Sequence, residues 1–286
     1  MNAQISKAKE LGLCFGVRRA VKMLKEAAKK YGEIETLGPV AHNRQLVQAL
    51  AEMGIRPVEN LEQLEGKVLA ITTHGASPDV LSETQWRHVH IIDTTCPIVK
   101  RAQNSAKELA ETGFDVIVFG EAGHSEVKGL LGWSGAKGMV ALDGTEIDSS
   151  KLSHRIGVIS QTTQSQSAFV EFTRKLMVAL FPRVQEMRII NTLCRATQRR
   201  QQAAVTLAKR SQLMIVVGGY DSANTRRLAE ACSPIVETHL LERADRVDGS
   251  WLVGKQRIGI AAGASTPDEA VEELVDKLTS LAKLVA

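Results

Sequence analysis

Three cysteines in this 286-residue sequence share one local context. Cys96 ends a short β-branched run and precedes Pro97, a residue suited to the first position of a helix. Cys14 and Cys194 likewise stand directly before a helical pattern. A thiolate at the amino end of a helix is stabilised by the helix dipole and by free N–H groups. The repeated context therefore predicts three thiolates with a chemical role.

Three thiolates brought to one centre would make a metal-ligand set with one vacancy. Soft sulfur ligands select zinc, copper(I) or iron–sulfur clusters. Zinc would need a fourth ligand, which a histidine could supply, whereas a 4Fe–4S cluster would keep one iron open to substrate. Dispersed cysteines differ from the clustered runs of electron-transfer ferredoxins, and this favours a metal that takes part in chemistry. Cys232 lacks the shared context and is interpreted as a core residue.

Polar loops follow the predicted strands, and their composition predicts a pocket that binds an anion. They are rich in Gly, Ser, Thr and Asn, and such loops offer N–H and hydroxyl donors to phosphate. His42, His74 and His124 lie in them and point to diphosphate binding or proton supply. Glu126 follows at the start of a helix, where it could relay protons or be a first-turn residue favoured by the dipole.

Apolar β-rich runs alternate with helical patterns along the chain. The predicted strands are Lys67–Thr73, Val89–Asp93, Asp115–Gly120, Arg155–Ser160, Met187–Asn191, Gln212–Gly218 and Arg257–Ala262. The predicted helices are Val17–Lys30, Asn43–Met53, Val99–Thr112, Ser167–Leu180, Thr197–Lys209 and Pro267–Ala282. This alternation predicts parallel sheets flanked by helices, an α/β fold.

The cysteines are separated by similar, domain-sized intervals, which predicts three repeated α/β units. The expected boundaries are 1–96, 97–193 and 194–286. In α/β sheets, ligands bind outside the carboxyl ends of the strands. The polar loops of the three units are therefore expected to converge on one shared site.

Composition narrows the classes of function. The formal charge of +4 is mild and an aromatic content of 4% is low, so no nucleic-acid partner is expected. No apolar run approaches the ~18 residues of a membrane span and no signal region opens the chain, which predicts a cytoplasmic protein without a membrane partner. Neither a Walker loop nor G-x-G-x-x-G occurs, so nucleotide binding has little support.

Several of these segments together resemble the LytB/IspH family, the reductases of 4-hydroxy-3-methylbut-2-enyl diphosphate. The resemblance runs in order from about residue 5 to 284. The matching segments are Gly12–Ala20, His42–Asn43, Thr73–Gly75, Asp93–Pro97, Gly123–Val127, Gln161–Thr163, Cys194–Thr197, Ser222–Thr225 with Arg227–Leu228, and Ala262–Asp268.

The resemblance implies three pseudo-symmetric α/β domains with parallel-type sheets round a central iron–sulfur cavity. Cys14, Cys96 and Cys194 would hold a 4Fe–4S cluster with one open iron. The implied reaction is reductive dehydroxylation of the allylic diphosphate to isopentenyl and dimethylallyl diphosphate, the last step of the non-mevalonate isoprenoid pathway. A ferredoxin- or flavodoxin-type protein would supply the electrons.

The same resemblance assigns the site residues. Glu126 would deliver protons as the catalytic acid. The substrate would be surrounded by His42, His74, His124, Thr162, Ser222, Ala223, Asn224 and Ser265. The family usually has a serine at the position of Ala223 and often an asparagine at that of Asp221. Asp221 is expected to point outward or to cap the following helix.

Three rival interpretations use the same residues differently. A zinc-dependent hydrolase would use the cysteines with a histidine and contain no iron. A non-enzymatic iron–sulfur sensor would bind a cluster without reductase turnover. A phosphate-binding domain with incidental cysteines would be colourless and indifferent to oxygen.

Overall fold

The computed structural model describes residues 3–284, and it confirms the predicted strand–helix alternation. The strands are β1 Gln4–Lys7, β2 Ile34–Leu37, β3 Ile55–Val58, β4 Val68–Ile71, β5 His90–Asp93, β6 Asp115–Phe119, β7 Gly138–Ala141, β8 Arg155–Ser160, β9 Glu186–Ile189, β10 Leu213–Val217, β11 Thr238–Leu241 and β12 Arg257–Ala262. The α-helices are α1 Phe15–Tyr31, α2 Arg44–Ala51, α3 Pro78–Trp86, α4 Pro97–Glu111, α5 Ser125–Ser134, α6 Gln166–Leu180, α7 Arg195–Ala208, α8 Ala223–Cys232 and α9 Asp268–Leu284. Within this part of the chain, no helix is both long enough and apolar enough to cross a membrane.

The described strands form three parallel sheets of four strands each. The strand orders are β3-β2-β4-β5, β7-β6-β8-β9 and β11-β10-β12-β1. Each sheet has the same plan, with its first and third strands in the centre and its second and fourth at the edges. The predicted α/β fold built from three repeated parallel sheets is therefore confirmed.

The first strand of the chain belongs to the last sheet. β1 pairs in parallel with β12, from Gln4 opposite Arg257 to Lys7 opposite Ile260. The predicted unit 1–96 placed these residues with the first sheet, which is wrong for residues 4–7. The physical reason is that each sheet is completed by a fourth strand that leads to a cysteine, and for the third sheet this strand comes from the chain start. The boundaries at 96 and 193 stay a prediction.

Apart from β2, the central strands are largely buried on both faces, as parallel sheets covered by helices require. Along β10, Leu213, Ile215 and Val217 pack into one apolar cluster, whereas Met214 and Val216 pack into another on the opposite face. β6 behaves in the same way, with clusters on both of its faces. Alternation of side chains across a strand accounts for this division.

By their internal packing, the described residues form two compact units. Unit 1 contains the chain up to Arg18, Ala41–Glu52 and the chain from Arg195 onward. It includes the sheet β11-β10-β12-β1. Unit 2 contains Arg19–Val40 and Met53–Cys194, with the other two sheets.

Candidate functional site

Each of the three predicted metal-binding cysteines follows the fourth strand of a sheet and stands directly before a helix. The helices α1, α4 and α7 begin at the residue after the cysteine. Each cysteine also donates its backbone N–H to the carbonyl of the second residue beyond the third strand of its sheet. The acceptors and N···O distances are Ala264 at 2.8 Å for Cys14, Thr73 at 3.1 Å for Cys96 and Thr162 at 2.9 Å for Cys194. The shared geometry predicted from the sequence is thus present.

A short polar turn delivers two of these cysteines to their helices. Asp93 Oδ1 accepts from the N–H of Thr95 at 3.0 Å, and Asn191 Oδ1 accepts from the N–H of Leu193 at 3.1 Å. Partial burial works against ionisation of Asp93, but the hydrogen bonds from Thr95 and the charge of Lys100 outweigh it and lower the pKa of this carboxyl group. A side chain that bonds to the backbone two residues on fixes the turn locally.

The loop before Cys14 is built differently. Gly12 has φ +70°, and a Cβ there would lie 1.9 Å from Oδ1 of Asp268, so only glycine fits. Arg18 Nη2 donates to the carbonyl of Leu13 at 2.6 Å. The loop is therefore held by glycine geometry and by an arginine.

The thiols of Cys14, Cys96 and Cys194 are partly buried and form no disulfide within residues 3–284. Three such thiols, each at the amino end of a helix, suit a group that binds thiolates. Cys232 is fully buried, and burial raises the pKa of its thiol to about 11. Its interpretation as a core residue is confirmed.

Two of the predicted histidines meet in unit 2. The rings of His74 and His124 are 5.5 Å apart at their centroids and nearly perpendicular. His124 caps α5, and its Nδ1 accepts from the N–H of Glu126 at 3.2 Å. Because Nδ1 accepts, the hydrogen of the neutral imidazole lies on Nε2.

Glu126 is buried and held at both carboxyl oxygens by one residue. Its Oε1 accepts from the N–H of Thr162 at 2.6 Å, and its Oε2 accepts from the hydroxyl of Thr162 at 2.9 Å. With 2% of Glu126 exposed, burial raises its pKa to about 7, although both bonds from Thr162 oppose the rise. Thr162 also accepts the N–H of Cys194, so it links an acid with a neutral-range pKa to a predicted metal ligand.

The remaining predicted substrate residues lie in unit 1. Ser222 caps α8, with its Oγ accepting from the N–H of Thr225 at 3.3 Å. Asn224 is 4% exposed, and within residues 3–284 neither its amide nitrogen nor its amide oxygen has a hydrogen-bond partner. Ser265 Oγ donates to the carbonyl of His42 at 3.4 Å. Unpartnered polar atoms beside a helix N-terminus suit an anionic ligand.

The predicted site residues occupy equivalent positions in the repeat. His42, His124 and Ser222 are each the fifth residue after the first strand of a sheet. His74 and Ser265 are each the third residue after a third strand, and Thr162 is the second after another. The loops at the carboxyl ends of the strands therefore supply these side chains, as expected for this fold class.

The structure also bears on the two departures from the family pattern. Asp221 is exposed, as expected for a carboxylate that points outward. The N-cap of α8 is Ser222, so the alternative that Asp221 caps this helix is wrong. Ala223 is buried at the first position of α8.

Two buried polar residues, Gln161 and Arg200, were given no role at the site from the sequence. Gln161 Oε1 accepts from the N–H of Glu121 at 3.1 Å and from Gln164 Nε2 at 3.2 Å, which braces the loop that carries Thr162. Arg200 is buried on the inward face of α7. The helical period places position 200 on that face, which is the signal that could have identified it.

The chain is an α/β protein with three parallel sheets, and its cysteines and polar loops lie at the carboxyl ends of the strands. Comparison with known proteins makes the class specific, because the model of the family described as LytB protein matches residues 5–279. A protein of Dehalococcoides mccartyi (strain CBDB1), named 4-hydroxy-3-methylbut-2-enyl diphosphate reductase, is 43% identical over 96% of this chain and 97% of its own. A protein of the same name from Geotalea daltonii is 42% identical over 96% of this chain and 97% of its own.

Two solved structures extend the comparison. The first, described as (E)-4-hydroxy-3-methyl-but-2-enyl diphosphate reductase, the terminal enzyme of the non-mevalonate pathway, has a TM-score of 0.71 and 35% identity over 98% of this chain and all of that one. The second, described as the E-1-hydroxy-2-methyl-but-2-enyl-4-diphosphate reductase from Plasmodium falciparum, has a TM-score of 0.89 and 25% identity over 96% of this chain and 88% of that one. The chain belongs to the LytB protein family, which confirms the resemblance found in the sequence.

Proposed function

We propose that this protein is a 4-hydroxy-3-methylbut-2-enyl diphosphate reductase, which removes the allylic hydroxyl group of its substrate to give isopentenyl and dimethylallyl diphosphate. Relatives of that name match nearly the whole chain. The structural observation that carries the proposal is the hydrogen-bonded series Glu126–Thr162–Cys194. It joins an acid with a pKa of about 7 to a cysteine placed to bind metal.

The proposed cofactor is a 4Fe–4S cluster held by Cys14, Cys96 and Cys194. Within residues 3–284 none of the three forms a disulfide, and all are partly buried and located at helix N-termini, where the helix dipole favours negative charge. When bound, such a cluster supplies electrons one at a time, and an open iron acts as a Lewis acid.

The diphosphate group is proposed to bind to the polar loops. Asn224 contributes a buried amide that has no hydrogen-bond partner within residues 3–284. Ser222 and Ala223 begin a helix whose first N–H groups have no intrahelical acceptor. Alanine at position 223 lacks the hydroxyl group of a serine but keeps this backbone donor. The other proposed substrate contacts are His42, His74, His124, Thr162 and Ser265. Anchoring one end of the substrate fixes where its other end lies.

Glu126 is proposed to deliver the proton that converts the departing hydroxyl group to water. At pH 7 about half of the carboxyl groups carry a proton, because the pKa is about 7. Thr162 N–H occupies Oε1, so the proton belongs on Oε2, within 2.9 Å of the Thr162 hydroxyl group. That hydroxyl group can accept from Oε2 and pass its own hydrogen onward. The net reaction consumes two electrons and two protons and releases one water.

The proposed electron donor is a small ferredoxin- or flavodoxin-type protein. The reaction requires single electrons at low potential, and no nucleotide-binding signature occurs in the chain. The cytoplasmic location stays a prediction from the sequence.

The test is anaerobic purification followed by metal analysis, a visible spectrum and an assay with the allylic diphosphate. We expect a brown protein with about four irons and four sulfides per chain and reductase turnover with dithionite and a viologen mediator. The Cys96→Ser variant should lose the cluster, whereas Cys232→Ser, the matched control, should keep it. A colourless protein with one zinc would favour the hydrolase, and a cluster without turnover would favour the sensor.

A further inference from the structure

A buried positive charge lies beside the loop that carries Cys14. Arg200 is 5% exposed, and within residues 3–284 no carboxylate lies within ion-pair distance of its guanidinium group. The preceding Arg199 is exposed and pairs with Glu10 at 3.4 Å. Burying a charge is costly unless another charge compensates it. The protein therefore retains at position 200 a cation that forms no ion pair with a described carboxylate.

Carbonyl groups hold this arginine in place. Nη1 donates to the carbonyl of Ala262 at 3.1 Å, and Nη2 donates to that of Gly12 at 2.9 Å, with Leu11 at 3.5 Å. These bonds tie the end of β12 to the loop before Cys14. A neutral donor could make bonds of this kind, so they explain the position of the side chain and leave its charge unexplained.

The Cys14 sulfur is the best candidate for the missing counter-charge. Burial lowers the pKa of Arg200, and the negative charge of Cys14 gives the strongest opposing effect, ahead of Glu10. Arg18 acts with burial and Asp268 acts against it, both more weakly. The geometry agrees, because Nη2 of Arg200 donates to the carbonyl of Gly12, two residues before Cys14, while Glu10 is paired with Arg199.

We propose that Arg200 is a positioning residue whose fixed charge acts on the iron–sulfur site through Cys14 and favours the uptake of each electron. This inference rests on the proposed function. One-electron reduction adds one negative charge to the site and breaks no bond. In an interior of low dielectric constant, a nearby buried cation stabilises the reduced state more than an exposed cation does. Charge near a cluster is one of the factors that set its reduction potential.

The experiment is an anaerobic redox titration of the purified holoprotein, followed by its visible and paramagnetic resonance spectra. The variants are Arg200→Gln, which removes the charge, and Arg200→Lys, which keeps it. Arg199→Gln is the matched control, because it removes an equal charge from the exposed neighbour. We expect Arg200→Gln to lower the equilibrium constant for reduction at least tenfold, or about 59 mV for one electron. The other two variants should change it less than threefold.

An Arg200→Gln protein with an intact cluster and a change below threefold would overturn the inference. Equal losses in Arg200→Gln and Arg200→Lys would also overturn it, because the hydrogen bonds would then account for the effect. If Arg200→Gln takes up no cluster, the reduction potential and cluster content of Arg200→Lys decide between a charge role and a structural role. A near-normal potential in this variant supports the charge role, and failure to load the cluster shows a structural role. A wild-type protein without iron and sulfide would instead refute the proposed function.

Discussion

Replacing Glu126 by glutamine should stabilise the protein at alkaline pH while removing most of its activity. The pKa of Glu126 is raised from 4.5 to about 7, so the native state binds this proton more tightly than the unfolded chain does. The stabilisation of the native state by this bound proton is fully present below about pH 4.5 and is lost as the pH rises through about 7. At 1.36 kcal/mol per pKa unit, the loss above pH 7 is about 3 kcal/mol.

Glutamine at position 126 avoids this loss. Its amide oxygen can accept the N–H of Thr162 as Oε1 does now, and its NH₂ group can donate to the Thr162 hydroxyl group in place of Oε2. The free energy of unfolding of Glu126→Gln minus that of wild type should therefore rise by about 3 kcal/mol between pH 4.5 and pH 8. Turnover should fall steeply, while cluster content and diphosphate binding persist.

The assay is anaerobic denaturant unfolding of the holoproteins at several pH values, followed by circular dichroism. Both proteins lose the same cofactor on unfolding, so that contribution cancels in the difference. Glu108→Gln, at an exposed position of α4, is the matched control and should show no such trend. A difference that stays constant within about 0.5 kcal/mol across the range would show that Glu126 does not titrate as a buried acid. Near-normal turnover of the variant would remove Glu126 from the proton path.

Three further outcomes test the site. Thr162→Val removes the hydrogen bond from the Thr162 hydroxyl group to Oε2 of Glu126, which is worth about 1 kcal/mol. The alkaline limb of the pH–rate profile should therefore move upward by about 0.5–1 pH unit. An unchanged profile would contradict the role of Glu126 as the acid. Asn224→Ala should weaken diphosphate binding in calorimetry by about tenfold or more, with little change in the unfolding midpoint because its amide has no protein partner in the described chain; unchanged affinity would remove Asn224 from the substrate contacts. Cys232→Ala should keep full iron content and lose about 1 kcal/mol of stability, whereas Cys96→Ala should lose its iron.

The sequence was informative where the signal is local. Pro97 after Cys96 and the β-branched run before it place a thiol at a helix start, and α4 begins at Pro97 as expected. The sequence patterns did not predict the strands that bury few side chains. In β2, only Ile34 and Thr36 are fully buried, and Glu35 lies between them. A four-residue strand of this kind has too short a pattern to recognise.

The arrangement of the site depends on contacts between distant residues, which local patterns do not contain. By position alone, Glu126 could be a proton donor or an ordinary first-turn acid. The deciding facts are its burial and its two bonds to Thr162, which lies 36 residues further along the chain. Arg200 falls on the inward face of α7 by helical period, but only folding shows that it bonds to Gly12.

The first turns of the three cysteine helices carry no acidic residue. Acidic residues are favoured in the first turn of a helix. The helices α3, α5 and α9 have them there, at Asp79, Glu126 and Asp268, whereas α2, α6 and α8 have none. The first turns of α1, α4 and α7 have none. A carboxylate in these turns would repel a thiolate at the preceding cysteine and compete with it for the free N–H groups. The three cysteine helices share the absence of acids with α2, α6 and α8, so it is compatible with a negative charge at each cysteine without being specific to these helices. A zinc or iron–sulfur site requires that charge, whereas incidental core cysteines do not.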